Sequence, residues 1–275
     1  MSRLPTRRAG QPRAGRPIRR SSAGLSRTRA LAAFVLVLAG LGIYGVGASP
    51  VFAFRPPIDL VGATWTSPDD VSSLLGISEG TNLVTLRTDT LAARLTGLPA
   101  VRSVEVRVVL PNTIRVQLEE RQPILVWQTA SGRFLVDAEG VAFVQLAAGA
   151  PSPNGLPTIS DTRATSPTSV AIGSAVDPVS FDAATRLGSL VPANLDSAAN
   201  GLLVSLSDDQ GFTLKAVPNL WTAVFGFYTT SLRPPSMIPE QVRLLKSLIS
   251  GREPTIESVI LADGQSGTYT TKAKP

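Results

Sequence analysis

The chain has 275 residues, a formal charge of +6, and neither cysteine nor histidine. Lacking both residue types, it holds no disulfide, no thiol nucleophile, no Ser-His-Asp triad and no Cys/His zinc site. The charge is unevenly placed: residues 1–29 carry nine arginines and no acid, whereas the other 17 Lys/Arg (26 less those nine) face all 20 Asp/Glu. The bulk of the chain is therefore mildly acidic and is not read as a nucleic-acid binder.

The Arg/Pro/Gly/Ser-rich segment 1–29 reads as a disordered basic tail. It suits an anionic lipid surface, where each nearby cation contributes ~1 kcal/mol. Residues 30–54 contain no formal charge and are dominated by Ala, Leu, Val, Phe and Gly. As a helix this run reaches ~37 Å, against a hydrocarbon core of ~30 Å crossed by roughly 20 apolar residues. We expect a transmembrane helix over 30–54, densest over 31–46, with Pro50 at its exit. The cationic flank places the N-terminus in the cytoplasm. The expectation is a single-pass type II protein of the plasma (inner) membrane, with everything after the span extracytoplasmic. The competing reading is a cleaved signal peptide, with Val46-Gly47-Ala48 as its small-residue site.

A first folded module is expected over 56–122. Residues 58–65 read as a strand. Ser67-Pro68-Asp69-Asp70 opens a helix, with Ser67 as cap, proline at the first helical position and acids at the positive helix end. Val71, Leu74 and Leu75 form its apolar face and Gly76 ends it. A second helix covers 89–95, with Leu91 and Leu95 one turn apart. Two strands follow over 101–109 and 113–121, alternating apolar and polar residues around the turn Leu110-Pro111-Asn112. The order strand-helix-helix-strand-strand gives a small sheet covered on one face.

These residues carry a resemblance. Val61-Gly62-Ala63, Asn82-Leu83, Leu98-Pro99-Ala100-Val101, Val104-Glu105-Val106-Arg107, Leu110-Pro111-Asn112-Thr113-Ile114, Val116 and Glu119-Glu120-Arg121-Gln122-Pro123 resemble the POTRA domain of the FtsQ/DivIB cell-division family. The chain departs at Ala100 and Leu110, where the family often carries Trp.

The second module, 123–275, reads as strands over 124–128, 133–137 and 141–145. Residues 147–178 read as a long surface loop, with Leu156-Pro157-Thr158-Ile159 touching the core. Then come a helix over 180–191, with Phe181, Ala184, Leu187 and Val191 inward, and a hairpin of 202–206 and 211–217. An aromatic segment over 221–228 follows, with Trp221, Phe225, Phe227 and Tyr228 expected in the core. A helix over 239–250 with Val242, Leu245 and Ile249 inward, a strand over 256–261 and a weak one over 268–271 complete the chain. Trp127, Leu135-Val136-Asp137, Glu139-Gly140 and Phe143 extend the FtsQ resemblance. Asp137 and Glu139 beside that glycine are turn chemistry rather than a metal pair.

The expected fold is thus α+β: a single N-terminal transmembrane helix, a β-α-α-β-β POTRA domain, and a β-rich domain with two or more helices. No catalytic, cofactor-binding or metal residue is assigned. A Ser–Lys dyad is the remaining nucleophilic option; the four lysines (Lys215, Lys246, Lys272, Lys274) lie on outward faces or in the terminal segment. Glu119 and Glu120 point to opposite faces and cannot share a site. An interaction role fits better, since a sheet edge can accept an extended partner segment. The resemblance implies a non-enzymatic divisome scaffold linking early and late cell-division proteins at the septum. Its C-terminal strand region would dock FtsB/FtsL-like single-span proteins, and its POTRA domain would contact other division proteins. Carried onto this chain, the partner-binding residues are Ile256, Glu257, Ser258, Val259, Ile260, Leu261 and Tyr269. A POTRA-bearing assembly or secretion chaperone and a wall-binding surface protein are the alternatives.

Overall fold

The computed structural model describes residues 27–47, 49–164, 170–218 and 220–273. Two compact units divide the chain, Met1–Phe52 and Ala53–Pro275.

In the first unit, α1 (Arg27–Gly47) is long and apolar enough to cross a membrane. Its large side chains are exposed around the whole helix, Leu36 and Ile43 among them, as expected of a helix whose partner is lipid. Among the described residues the helix covers Arg27–Gly47, where the sequence reading expects a helix over 30–54. Glycines 45 and 47 and then Pro50 end it, and Pro50–Phe52 forms a single 3-10 turn. Phe54 is instead buried in the core of the second unit. Most of the basic tail, and Ala48 of the candidate cleavage triplet, lie outside the described residues.

The second unit opens with β1 (Asp59–Val61), α2 (Pro68–Leu75), α3 (Thr88–Leu95), β2 (Val101–Val109) and β3 (Thr113–Glu120). They build a three-stranded sheet in the order β1-β3-β2, with β1 parallel to β3 and β2 antiparallel to it. Ser67 caps α2 by accepting the Asp70 N–H at 3.1 Å, and Gly76 ends it at φ 59°. Val71 and Leu75 enter the core while Leu74, expected beside them, is exposed. Two inward positions one turn apart suffice for so short a helix. The strand expected over 58–65 stops at Val61 because Gly62 turns at φ +84°, where a Cβ would lie 2.1 Å from the Leu118 carbonyl oxygen.

Alternation on β3 sends Glu119 outward and Glu120 inward. The buried Glu120 carboxylate accepts three backbone N–H groups, from Thr64 at 2.6 Å, Trp65 at 2.8 Å and Thr66 at 2.8 Å. A fully bonded carboxylate of this kind is tolerated in a core, and it fixes the turn after Gly62.

The remainder forms a nine-stranded sheet in the order β12-β11-β10-β9-β8-β7-β4-β5-β6. Its strands are β4 (Pro123–Thr129), β5 (Gly132–Asp137), β6 (Ala142–Leu146), β7 (Thr158–Asp161), β8 (Gly201–Ser207), β9 (Gly211–Val217), β10 (Thr222–Gly226), β11 (Ile256–Leu261) and β12 (Gly267–Thr271). Two helices, α4 (Pro178–Gly188) and α5 (Ile238–Ile249), cover one face with Ala183, Ala184, Leu187, Leu245 and Ile249 in the core. The helix expected over 180–191 starts earlier, where Asp177 accepts the Ser180 N–H at 2.8 Å. It ends before Val191, which is exposed.

The expected 147–178 loop contains the central strand β7, parallel to both β4 and β8. Only four residues long, it owes its conformation to these two neighbours rather than to local propensity. Trp221, Phe225 and Tyr228 pack in the core as expected, but Phe227 is exposed, because the chain leaves the sheet after Gly226 at φ +81°.

The two sheets meet through Ala100, Val126, Leu135 and Phe143, with Trp65 edge-on to Phe143 at a ring separation of 6.4 Å. Arg121 donates to the carboxylates of Asp137 and, at 3.0 Å, Glu139. Asp137 also accepts the N–H groups of Glu139 and Val141, each at 2.9 Å. The pair is turn and interface chemistry.

Candidate functional site

A sheet of this kind ends in two edges, β6 and β12. The β6 edge is covered where it begins: Ala142 N–H donates to Ser174 O at 2.9 Å and Gly173 N–H to Ala142 O at 2.7 Å. Along β12 every residue is exposed, and among the described residues no strand lies beyond it.

Two constraints build this edge. The first is α5, whose Leu245 and Ile249 pack with Ile256, Val259 and Leu261 of β11 in one core. Gly267 completes the fit, since a Cβ there would stand 3.3 Å from the side chains of both Leu244 and Leu248. The second is a polar clamp at the ends of β10 and β11. The Arg233 guanidinium donates to Phe225 O at 2.5 Å and Leu261 O at 2.6 Å, and lies 5.8 Å from the Tyr228 ring centre. Tyr228 donates its hydroxyl to Gln241 Oε1 at 2.7 Å, and the fully buried Gln241 extends its amide toward Leu261 O at 3.4 Å. Burial pushes the Tyr228 hydroxyl pKa up, against the opposing charge of Arg233, so it stays a donor.

The far end of the edge strand is tied as well. Lys272 donates its N–H to Thr255 O at 2.8 Å. Nearby, Glu253 accepts from Trp221 Nε1 at 2.7 Å, Ala198 N at 2.9 Å and the Ser197 hydroxyl. Burial acts to raise the Glu253 pKa, but these donors and the Lys272 charge outweigh it and hold the carboxyl below its ordinary value.

The register decides which backbone groups are open. Ser258, Val259 and Ile260 stand opposite Thr270, Tyr269 and Thr268, and Ala262 N–H donates to Ser266 O at 2.9 Å. In an antiparallel ladder, alternate residues turn both main-chain groups toward the partner strand. Ser266, Thr268 and Thr270 therefore face β11, leaving Gly267 and Tyr269 to present N–H and C=O outward.

The seven sequence-expected residues fall into three groups. Ile256, Val259 and Leu261 are buried against α5. Ser258 and Ile260 are on the uncovered side of β11, Ser258 bonding to the Thr270 hydroxyl at 2.7 Å, and Glu257 is exposed at the bulge between Ile256 and Ser258. Tyr269 lies on β12. The structure moves the open edge by one strand: β11 pairs with β10 on one side and β12 on the other, so its main chain is occupied and the open backbone belongs to the strand that reads as weak. Sequence reasoning missed Arg233, Gln241 and Glu253. The available signals were a single arginine closing a long uncharged run, and a glutamine on the apolar face of a helix.

Residues 57–121 match the family model described as the POTRA domain, FtsQ-type. The chain is 31% identical over 142 residues to a cell division protein FtsQ of Mycobacteroides abscessus, covering 50% of this chain and 44% of that protein. In its FtsQ-type POTRA domain and the stretch that follows, the chain is similar to the FtsQ/DivIB family. A Corynebacterium glutamicum FtsQ is 41% identical over 83 residues (30% of this chain, 37% of the relative). One from Geotalea daltonii is 33% identical over 111 residues, 40% of each chain. The matched stretches thus span less than half of these relatives' length. The FtsQ-type POTRA domain is the three-stranded module, and the nine-stranded sheet with α4 and α5 is the sheet-rich region that follows it in this FtsQ-like chain.

Proposed function

We propose that this FtsQ-like chain is a non-enzymatic scaffold of cell division, linking early and late division proteins at the septum through extracytoplasmic contacts. In this reading residues 1–29 remain in the cytoplasm and the span crosses the plasma (inner) membrane once. The POTRA domain (56–122) and the β-domain (123–275) stand outside. An FtsB/FtsL-like single-span partner adds an extended segment to the outer edge of β12, with Gly267 and Tyr269 supplying main-chain hydrogen bonds, Ser258 and Ile260 lining the adjoining face and Glu257 exposed at the bulge beside them. Anchorage of both proteins in one bilayer raises their effective concentration without new contacts.

The observation that carries this reading is the open main chain of β12, an edge strand built by α5 and the Arg233 clamp and left uncovered along its length, while the opposite edge is covered where it begins. Strand addition draws affinity from such backbone. Tyr269→Pro tests it by removing an outward N–H and leaving the β11 ladder in place. Proline is tolerated on an edge strand. Full-length protein with this change loses co-purification of the single-span partner, while Tyr269→Ala retains most of it. Midcell accumulation of a fluorescently tagged chain is expected for the wild type. Undiminished partner recovery with Tyr269→Pro overturns the edge-docking mode, and uniform membrane fluorescence overturns the septal role.

A further inference from the structure

The POTRA sheet has an edge of its own that leaves part of the core open. Between β1 and α2 runs an apolar groove of about 320 Å³, lined by Phe54, Ile58, Leu60, Val71 and Ile77, with Asp69 its one charged residue. Phe54 and Val71 are buried, whereas Ile58, Leu60 and Ile77 belong to the same core and are only half covered. On the groove side, no strand among the described residues lies beside β1. Apolar side chains left half wet next to an unpaired strand edge are what an added strand would cover on both counts.

We propose that this groove takes an extended segment of another polypeptide, added as a further strand on β1. The segment carries apolar side chains at alternate positions over the groove and a Lys or Arg facing Asp69. Alternation follows from strand geometry, since every second side chain falls on the α2 side. The charge follows from Asp69 lining the groove with Asp70 beside it. The wall is one strand edge with few polar groups, which suits a peptide better than a small molecule, whose pockets set several polar groups around it. A second copy is disfavoured because a twofold contact would set the acids of both copies together. This site is separate from the β12 edge and stands independently of the role assigned there.

The test uses the full chain in nanodiscs and a displayed library of random short peptides as probe. Ser72 lines the groove and its hydroxyl bonds only within its own helix, to Pro68 O at 2.8 Å, so Ser72→Trp fills the groove without opening the core. Enriched peptides are expected to alternate apolar residues and carry one cation. Their binding should fall about tenfold or more (~1.4 kcal/mol per decade) with Ser72→Trp, fall several-fold with Asp69→Asn, and be unchanged with Tyr269→Pro. A synthetic peptide of the enriched pattern should slow hydrogen exchange at Asp59, Leu60 and Val61. No enrichment over empty nanodiscs, equal binding to Ser72→Trp, or binding lost with Tyr269→Pro overturns the proposal. So does self-association of the peptide-free chain that Ser72→Trp abolishes, which assigns the groove to a second copy.

Discussion

Arg233 donates to the carbonyl oxygen of Leu261 at 2.6 Å, so a side chain from the loop after β10 closes the last backbone acceptor of β11. The same guanidinium holds Phe225 O, and the ends of two parallel strands are thereby fixed by one cation. Gly226, at φ +81°, makes room for it: a Cβ there would stand 3.3 Å from the guanidinium.

Arg233→Met is expected to destabilise the folded chain by about 3 kcal/mol, because it leaves two strand-end carbonyls poorly satisfied and removes hydrogen bonds to a charged donor. Thermal unfolding of the detergent-solubilised protein, followed by near-UV circular dichroism, measures this. A change within 0.5 kcal/mol, roughly that of an ordinary surface substitution, would show that the clamp is idle.

Glu120→Gln keeps size and shape but sets an NH₂ against at least one of the three N–H donors from Thr64, Trp65 and Thr66. The expected cost is about 2 kcal/mol. Trp65 emission should shift to the red as its turn loosens from Phe143. Glu119→Gln, on the exposed face, serves as the control and should leave both readouts where they were.

The lowered pKa of Glu253 gives stability a pH dependence of fixed sign. A carboxyl held below its ordinary value contributes stability above that value, and the contribution is lost as pH falls through the folded-state pKa. The wild type should therefore lose more stability than Glu253→Gln as pH is lowered through the ordinary carboxylate range and below. Above that range the difference between the two should be constant. Parallel curves at all pH values would remove Glu253 from this role.

Much of the POTRA domain was legible in the sequence because each of its elements announces itself locally. Ser67-Pro68 starts a helix, Gly76 stops it, and strict alternation on β2 and β3 names the buried face. What alternation does not encode is which strands are neighbours. The apolar run 256–261 reads as the terminal, open strand, yet its neighbours on both sides are set by pairing with β10 and with the polar strand β12. Similarly, Thr158–Asp161 carries no strand signal of its own among Ala, Gly, Pro and Ser, and becomes a strand only between β4 and β8. Helical spacing puts Val191 inside and its place in an aromatic run puts Phe227 there, whereas the chain's departure from helix and sheet leaves both outside.

That short strand has a mechanical corollary. If a tethered partner tugs on the outermost strand across the sheet, the load passes sideways through every ladder in series until it reaches the POTRA junction. The runs joining β7 to its neighbours are three residue pairs each, Val126–Gln128 with Thr158–Ser160 and Ile159–Asp161 with Val204–Leu206, against seven for β8 with β9; the equally short run of β10 with β11, Thr222–Val224 with Ser258–Ile260, is reinforced by the Arg233 bridge. Under tension the sheet should part at β7 first, separating the partner-bearing half from the half fastened to the POTRA domain, each with its own hairpin intact.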